Sequence, residues 1–239
     1  MRPTVVRNLT LRVKEIIQRT YNVTSVRLGL DEPVPFMAGQ FMKVILGEGR
    51  DLQHYLSISN SPTETGFVEF TKKISESAFS KRMVELKSGD LVKVQLPLGK
   101  FTLEGNERAK IAFLSGGIGI TPIRSMCKYI VDKNLGTDSV LIYANRTFRD
   151  IAFHEDFDEM QKQYPKLRVC HVLSEAEPGF KRTTGRVNAE VIRIEIPDFK
   201  ERKFYICGPP MMVEGMKKIL MGELLLPGEN IITENFQGY

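Results

Sequence analysis

Ser115-Gly116-Gly117-Ile118-Gly119-Ile120-Thr121-Pro122 joins two stretches of different rhythm. Before it, residues 110–114 form a short apolar run that reads as a buried parallel strand. After it, residues 123–130 space their apolar side chains as a helix does. A strand that turns through closely spaced glycines into a helix lets the backbone approach a phosphate, which then meets free amides and the positive end of the helix dipole. Thr121 is placed to cap this helix, and Pro122 suits its first turn, where a missing N–H costs nothing. Glycine also favours any tight strand-to-helix turn, so this junction alone does not name a ligand.

A second junction has the same form. Residues 204–207, Phe-Tyr-Ile-Cys, end in Gly208-Pro209-Pro210 before a helical run over 211–226. In open α/β sheets ligands collect outside the carboxyl ends of the strands, so the two junctions predict two walls of one nucleotide crevice. Strand-like runs at 110–114, 140–144, 167–173, 203–207 and 230–234 alternate with helical stretches, as in a parallel sheet covered on both faces.

Upstream the period is two. Leu9, Leu11 and Val13 alternate with polar residues, as do Val26, Leu28 and Leu30, and Val92, Val94 and Leu96. Turn clusters at 31–33, 47–49, 61–62 and 88–90 separate these runs, which argues for an antiparallel sandwich or small barrel. The rhythm changes in Glu104-Gly-Asn-Glu-Arg108, which divides the chain into a first domain over 1–105 and a second over 106–239.

The bulk numbers exclude several classes. With 42% hydrophobic and 26% charged residues the chain of 239 is a globular protein rather than a disordered one. No apolar run approaches a membrane span and the amino terminus lacks a signal-peptide core, so the expected location is cytoplasmic. Three cysteines and three histidines, all scattered, supply neither a zinc site nor an iron–sulfur cluster, and no metal is expected. The net charge of +5 is spread along the chain, which argues against nucleic acid. It reads as solvated surface, or as a field that steers an acidic protein partner.

An all-β half followed by an α/β half with these junctions resembles the ferredoxin–NADP reductase superfamily, which includes cytochrome b5 reductases, flavin reductases and oxygenase reductase components. The resemblance covers nearly the whole chain. It implies an antiparallel Greek-key β-barrel that holds flavin, followed by an α/β half with a five-stranded, parallel, doubly wound sheet that holds NAD(P)H.

The residues carry it as follows. The family's flavin motif, Arg-x-Tyr-Ser or Thr, corresponds to His54-Tyr55-Leu56-Ser57, followed by Ile58-Ser59. The serine is kept, but histidine stands for arginine and leucine for tyrosine. Histidine is shorter and largely neutral at pH 7, so it is a weaker phosphate partner than a forked guanidinium. The family's second flavin element corresponds to residues 75–80, where Ser77 takes a usual glycine position. The Ala78 and Phe79 amides and the Ser80 hydroxyl there face a phosphate, or Ser80 is simply a helix cap. Gly116, Gly117, Gly119 and Thr121 match the pyridine-nucleotide loop, and Cys207-Gly208-Pro209 matches the motif beside the nicotinamide. By itself Cys207 reads as a buried structural thiol; the resemblance makes it a packing and polarising group at the nicotinamide. Tyr143-Ala-Asn-Arg-Thr147 resembles the NADH-using branch and brings Arg146 to a cofactor phosphate or ribose. Arg149 is open to a 2′-phosphate, and both arginines also read as surface charge. At the carboxyl end Glu234 and Phe236 match an acid-x-aromatic ending beside the flavin ring. Tyr239 is a second ring for that face, or a frayed tail.

The resemblance therefore implies FAD in preference to FMN, with NADH favoured over NADPH. Ser57, Cys207 and Glu234 would complete the reacting contact. The chain has no room for a heme or ferredoxin domain, so the electrons go to a separate acceptor, an acidic ferredoxin- or flavodoxin-type carrier or an oxygenase component. Two other readings stay open. One is a flavin reductase that releases its flavin; the other is a non-catalytic subunit that senses nucleotide or docks a partner.

Overall fold

The computed structural model describes residues 5–103, 109–175 and 183–235. The expected domain boundary at 104–108 lies outside the described residues, as do Phe236 and Tyr239.

Strands β1 (Arg7–Thr20), β2 (Val23–Gly29), β3 (Phe41–Ile45), β4 (Gln53–Ser57) and β5 (Phe67–Lys73) are followed by helix α1 (Ala78–Val84) and β6 (Leu91–Leu98). They form one antiparallel sheet in the order β4-β3-β6-β1-β2-β5. A bridge between Ile58 and Phe70 brings the two edges together, so the sheet curls into a barrel. The period-two pattern sorts its side chains: Leu11, Val13, Val26, Leu28, Val68, Phe70, Val92, Val94 and Leu96 all enter one core. A strand displaced by one residue would turn that whole set to water, so the hydrophobic pattern and the register specify each other.

The second half contains β7 (Lys110–Gly116), α2 (Ile120–Lys133), β8 (Asp138–Asn145), α3 (His154–Gln163) and β9 (Leu167–Leu173). It continues with α4 (Ala189–Glu195), β10 (Lys203–Gly208), α5 (Pro210–Lys218) and β11 (Ile231–Asn235). Its five strands are parallel in the order β11-β10-β7-β8-β9. Alternate residues of β7 serve opposite cores, Ile111 and Phe113 on the side of α2 and α3, Ala112 and Leu114 on the side of α4 and α5. That double burial is why the strand reads as a continuous apolar run. The strand order reverses between β7 and β10, which opens the crevice at their carboxyl ends.

Two details differ from the sequence expectation. The helix expected over 211–226 ends as α-helix at Lys218, and a wider turn over Ile219–Glu223 closes it. Leu225 then takes a left-handed φ of 56°, which an α-helix cannot continue through. Thr121 does not cap α2: its hydroxyl donates to the carbonyl of Ile118 at 3.2 Å, and the capping position is Gly119.

The halves meet through polar contacts. Arg124 of α2 is buried, bonds both carboxylate oxygens of Glu64 from the barrel, and donates to Asp156 at 2.7 Å. Ser125 donates to the Asn60 carbonyl at 2.7 Å. No helix among the described residues is long and apolar enough to cross a membrane.

Candidate active site

The two glycine junctions lie against each other. A Cβ added to Gly119 would stand 2.4 Å from the Cys207 carbonyl oxygen and 2.5 Å from the Gly208 Cα. Only glycine lets the β7 turn pack on the end of β10. Gly117 adopts φ 53°, and its carbonyl accepts the Tyr143 hydroxyl at 3.0 Å, which fixes the turn from below. Beside this contact opens a cavity of about 310 Å³ lined by Gly116, Gly117, Ile118, Arg146, Pro209 and Met212. Of the residues the sequence nominated for the nucleotide, Gly116, Gly117, Arg146 and Pro209 face this space. Gly119, Thr121, Cys207 and Gly208 do not line it; Gly119 packs on Cys207 and Gly208.

The barrel contributes Tyr21 and Lys73 to the same cavity, and Ser174 lines it from the far side. Sequence reasoning missed all three, because nothing local ties a barrel strand end to a crevice in the other sheet. Tyr21 donates to Asp150 at 2.8 Å and Thr147 donates to it at 2.7 Å. Burial raises the Asp150 carboxyl, but those bonds outweigh it and hold the group below its ordinary range, so Asp150 is anionic at neutral pH. Arg146, expected at a cofactor phosphate, is exposed and pairs with Glu175 at 2.6 Å. Arg149 stacks its guanidinium over the Tyr21 ring at 5.3 Å.

One layer further in, Cys207 stands in register between Ser115 of β7 and Glu234 of β11. Cys207 is fully buried. Burial first, and the Glu234 carboxylate second, push its thiol well up, so it stays protonated and is no nucleophile. Burial also raises Glu234 to about 7. Ser115 Oγ and Glu234 Oε2 are buried without a hydrogen-bond partner among the described residues. Polar atoms left this way at the carboxyl ends of neighbouring strands suit an incoming polar ligand.

In the barrel, Ser57 ends β4 with its Oγ buried and likewise unpartnered among the described residues. His54 and Leu56 alternate with it, paired in register with the core residues Val44 and Met42. Burial, then the Lys72 charge, lowers His54 from its ordinary value, and its ring packs on Phe79 at 4.6 Å. Tyr55 points away, exposed, with its ring edge-on to Phe41. Ser59 is committed elsewhere: its hydroxyl donates to Glu69 at 2.8 Å and lies 2.8 Å from Thr71 Oγ1. The cap of α1 is Ser77, not Ser80, because the Ser77 oxygen accepts the Ser80 amide at 3.2 Å. Ser80 is buried and its oxygen accepts the Ser75 amide. Ala78 lies exposed at the start of that helix. The free Ser57 hydroxyl and the buried Lys72 amine, which burial lowers from its ordinary value, fit a phosphate-bearing flavin in this half. The glycine cradle and the cavity beside it fit a dinucleotide in the other.

The model of the oxidoreductase FAD-binding domain matches residues 8–103, and that of the oxidoreductase NAD-binding domain matches residues 113–218. NADH-cytochrome b5 reductase 1 of Aspergillus terreus is 30% identical over 232 residues, covering 91% of this chain and 78% of the relative. The chain belongs to the ferredoxin–NADP reductase superfamily. FAD and a nicotinamide nucleotide are accordingly the cofactors of its two domains. The glycine betaine monooxygenase reductase subunit of Pseudomonas aeruginosa is 30% identical over 222 residues, covering 89% of this chain. This chain spans 60% of that relative's length. The superfamily fold is also seen in the cytochrome b5 reductase domain of Ulva prolifera nitrate reductase. Its TM-score is 0.84 at 21% identity, with 95% of this chain and 97% of that one covered.

Proposed function

We propose that the protein oxidises NADH, holds FAD in its barrel, and passes the electrons to a separate acceptor. The acceptor is an oxygenase component or an acidic carrier of the ferredoxin or flavodoxin type. The observation that carries this reading is the convergence of both glycine junctions and the Glu234 carboxyl on the ends of β7, β10 and β11. The names of the curated relatives, reductase subunits and NADH-linked reductases, support it.

When bound, the flavin supplies an acceptor for a hydride and a store from which electrons leave for a partner. The chain's own work is binding, alignment and proton handling. Gly116 and Gly117 let a phosphate-bearing ligand reach backbone amides, while Gly119 keeps that loop against Cys207. Cys207 packs as a neutral thiol where the nicotinamide would rest. The Ser57 hydroxyl is free to meet a flavin ring nitrogen. Glu234, with its carboxyl raised to about 7, holds or releases a proton near neutral pH at the same place. Phe236 and Tyr239 are proposed to cover the ring face that the nicotinamide must reach, and to move during turnover.

NADH is preferred on charge. A 2′-phosphate entering the cavity meets the Asp150 carboxylate, and the nearby Arg146 guanidinium is already held by Glu175. The basic balance of the chain suits an acidic carrier.

Anaerobic titration of FAD-loaded protein with NADH tests the reading: the flavin absorbance is expected to bleach in one equivalent. The neutral His54 favours one rival, a flavin reductase that releases its flavin. Protein that elutes colourless from gel filtration and oxidises NADH only with added flavin would establish that rival instead.

A further inference from the structure

The barrel buries a lysine near the place where the flavin motif has lost its arginine. On β5 the residues that share a face with the core side chains Val68 and Phe70 end in Lys72. Lys72 is only 6% exposed, and no carboxylate among the described residues pairs with it. Its neighbour Lys73 points the other way, exposed, into the nucleotide cavity. The acids nearest in sequence are both taken: Glu69 pairs with Arg19 at 3.0 Å and Arg27 at 2.9 Å, and Glu76 is exposed and pairs with Lys81 at 3.3 Å. A buried ammonium without a counter-ion is unfavourable unless an anion joins it.

Ile58 bridges Phe70 in antiparallel sense, so the closing of β4 on β5 carries Lys72 past the segment that bears His54. In keeping with that placement, the Lys72 charge, after burial, disfavours protonation of His54. His54 comes from β4 across the barrel mouth and rests on Phe79 in the first turn of α1. An imidazole kept neutral leaves the positive charge of this corner to Lys72.

We propose that Lys72, on the interior face of β5 beside His54, is the residue that pairs with the flavin phosphate in this chain, in place of the guanidinium absent at position 54. The inference rests on the FAD reading of the barrel. It gives the site a compact point charge where a fork would grip two oxygens, and so a less directional hold on the phosphate.

The test is a fluorescence titration of the flavin-free chain with FAD, FMN and riboflavin. It compares the wild type with Lys72→Met, Lys72→Arg and the pair Lys72→Met/His54→Arg. Lys72→Met is expected to weaken FAD and FMN about 10- to 100-fold, the range for a charge-assisted hydrogen bond, and to leave riboflavin, which has no phosphate, unchanged. Salt should weaken FAD binding in the wild type more than in Lys72→Met. Lys72→Arg should keep FAD affinity, and His54→Arg should restore it in the Lys72→Met background. Thermal melting of the flavin-free proteins checks folding, and Lys72→Met should melt no lower than wild type because a buried charge is gone. Wild-type FAD affinity in Lys72→Met, or an equal loss of FAD and riboflavin, overturns the proposal alone. A wild type that binds no flavin of any kind overturns the FAD reading with it.

Discussion

Replacing Glu234 by Gln should remove a pH dependence that the fold builds into its own carboxyl edge. Glu234 sits on β11 beside Cys207, with one oxygen buried and unpartnered among the described residues. Burial raises its carboxyl from an ordinary 4.5 to about 7. The folded chain thus holds this proton more tightly than the unfolded chain does. Stability from this group is complete below pH 4.5 and falls as pH rises to about 7, because ionising the buried acid opposes folding. At roughly 1.4 kcal/mol per pH unit the full effect is about 3 kcal/mol, an upper bound because water reaches part of the side chain. In a chain of this size that corresponds to a melting difference of roughly 6–12 °C. Glutamine keeps the shape and cannot ionise, so Glu234→Gln should melt above the wild type at pH 8 and beside it at pH 5. Differential scanning calorimetry of the two flavin-free proteins across that range measures the difference directly. Parallel melting curves from pH 5 to pH 8 would refute the reasoning, since they would mean that Glu234 ionises with no cost from burial.

The glycine junction offers a paired contrast. Gly119→Ala drives a Cβ into backbone atoms of Cys207 and Gly208 and should destabilise the chain by about 1–3 kcal/mol, read as a lower melting temperature. Gly116→Ala crowds the flexible Met212 side chain and touches Pro209 at an ordinary 3.7 Å, so it should melt nearly as wild type while raising the Kd for NADH in an equilibrium titration. Asp150→Ser removes a carboxylate from the nucleotide cavity and should improve NADPH relative to NADH about tenfold in kcat/KM, roughly 1.4 kcal/mol. An unchanged ratio would show that this charge does not choose the coenzyme. Burial pushes the thiols of Cys127 and Cys207 up, so iodoacetamide at pH 7.5 should label neither in the native chain and both after denaturation. Mass spectrometry of the digested peptides reads the labelled positions.

Much of the architecture was legible because period and punctuation are local. Valines and leucines at every second residue mark one buried face, and strands buried on both faces read as unbroken apolar runs, as at Ile111–Leu114 against Phe204–Cys207. The same locality leaves the partners of individual side chains unread. Thr121 has the side chain of a helix cap, but the helix starts a residue earlier and its hydroxyl turns back to Ile118. Ser77 and Ser80 are both capping residues in composition, and only the chain path into α1 shows that Ser77 holds the amide while Ser80 is buried. Ser59 stands near the flavin motif in sequence yet spends its hydroxyl on Glu69 and Thr71 of a neighbouring strand.

By itself the sequence determined the two-part organisation, the strand faces and the glycine turns, since each depends on residues within a few positions of one another. It also displayed the loss of arginine at position 54. Only the tertiary structure decided what surrounds that loss. Lys72 is eighteen residues from His54, and nothing in the spacing brings them together; the closing of the barrel between β4 and β5 does. Tyr21, Lys73 and Asp150 likewise meet across the two halves, and Glu234 reaches Cys207 only because β11 adds to the sheet beside β10. Burial and electrostatic pairing are properties of such meetings, so the charge of Asp150 and Glu234 could be read only from the folded chain.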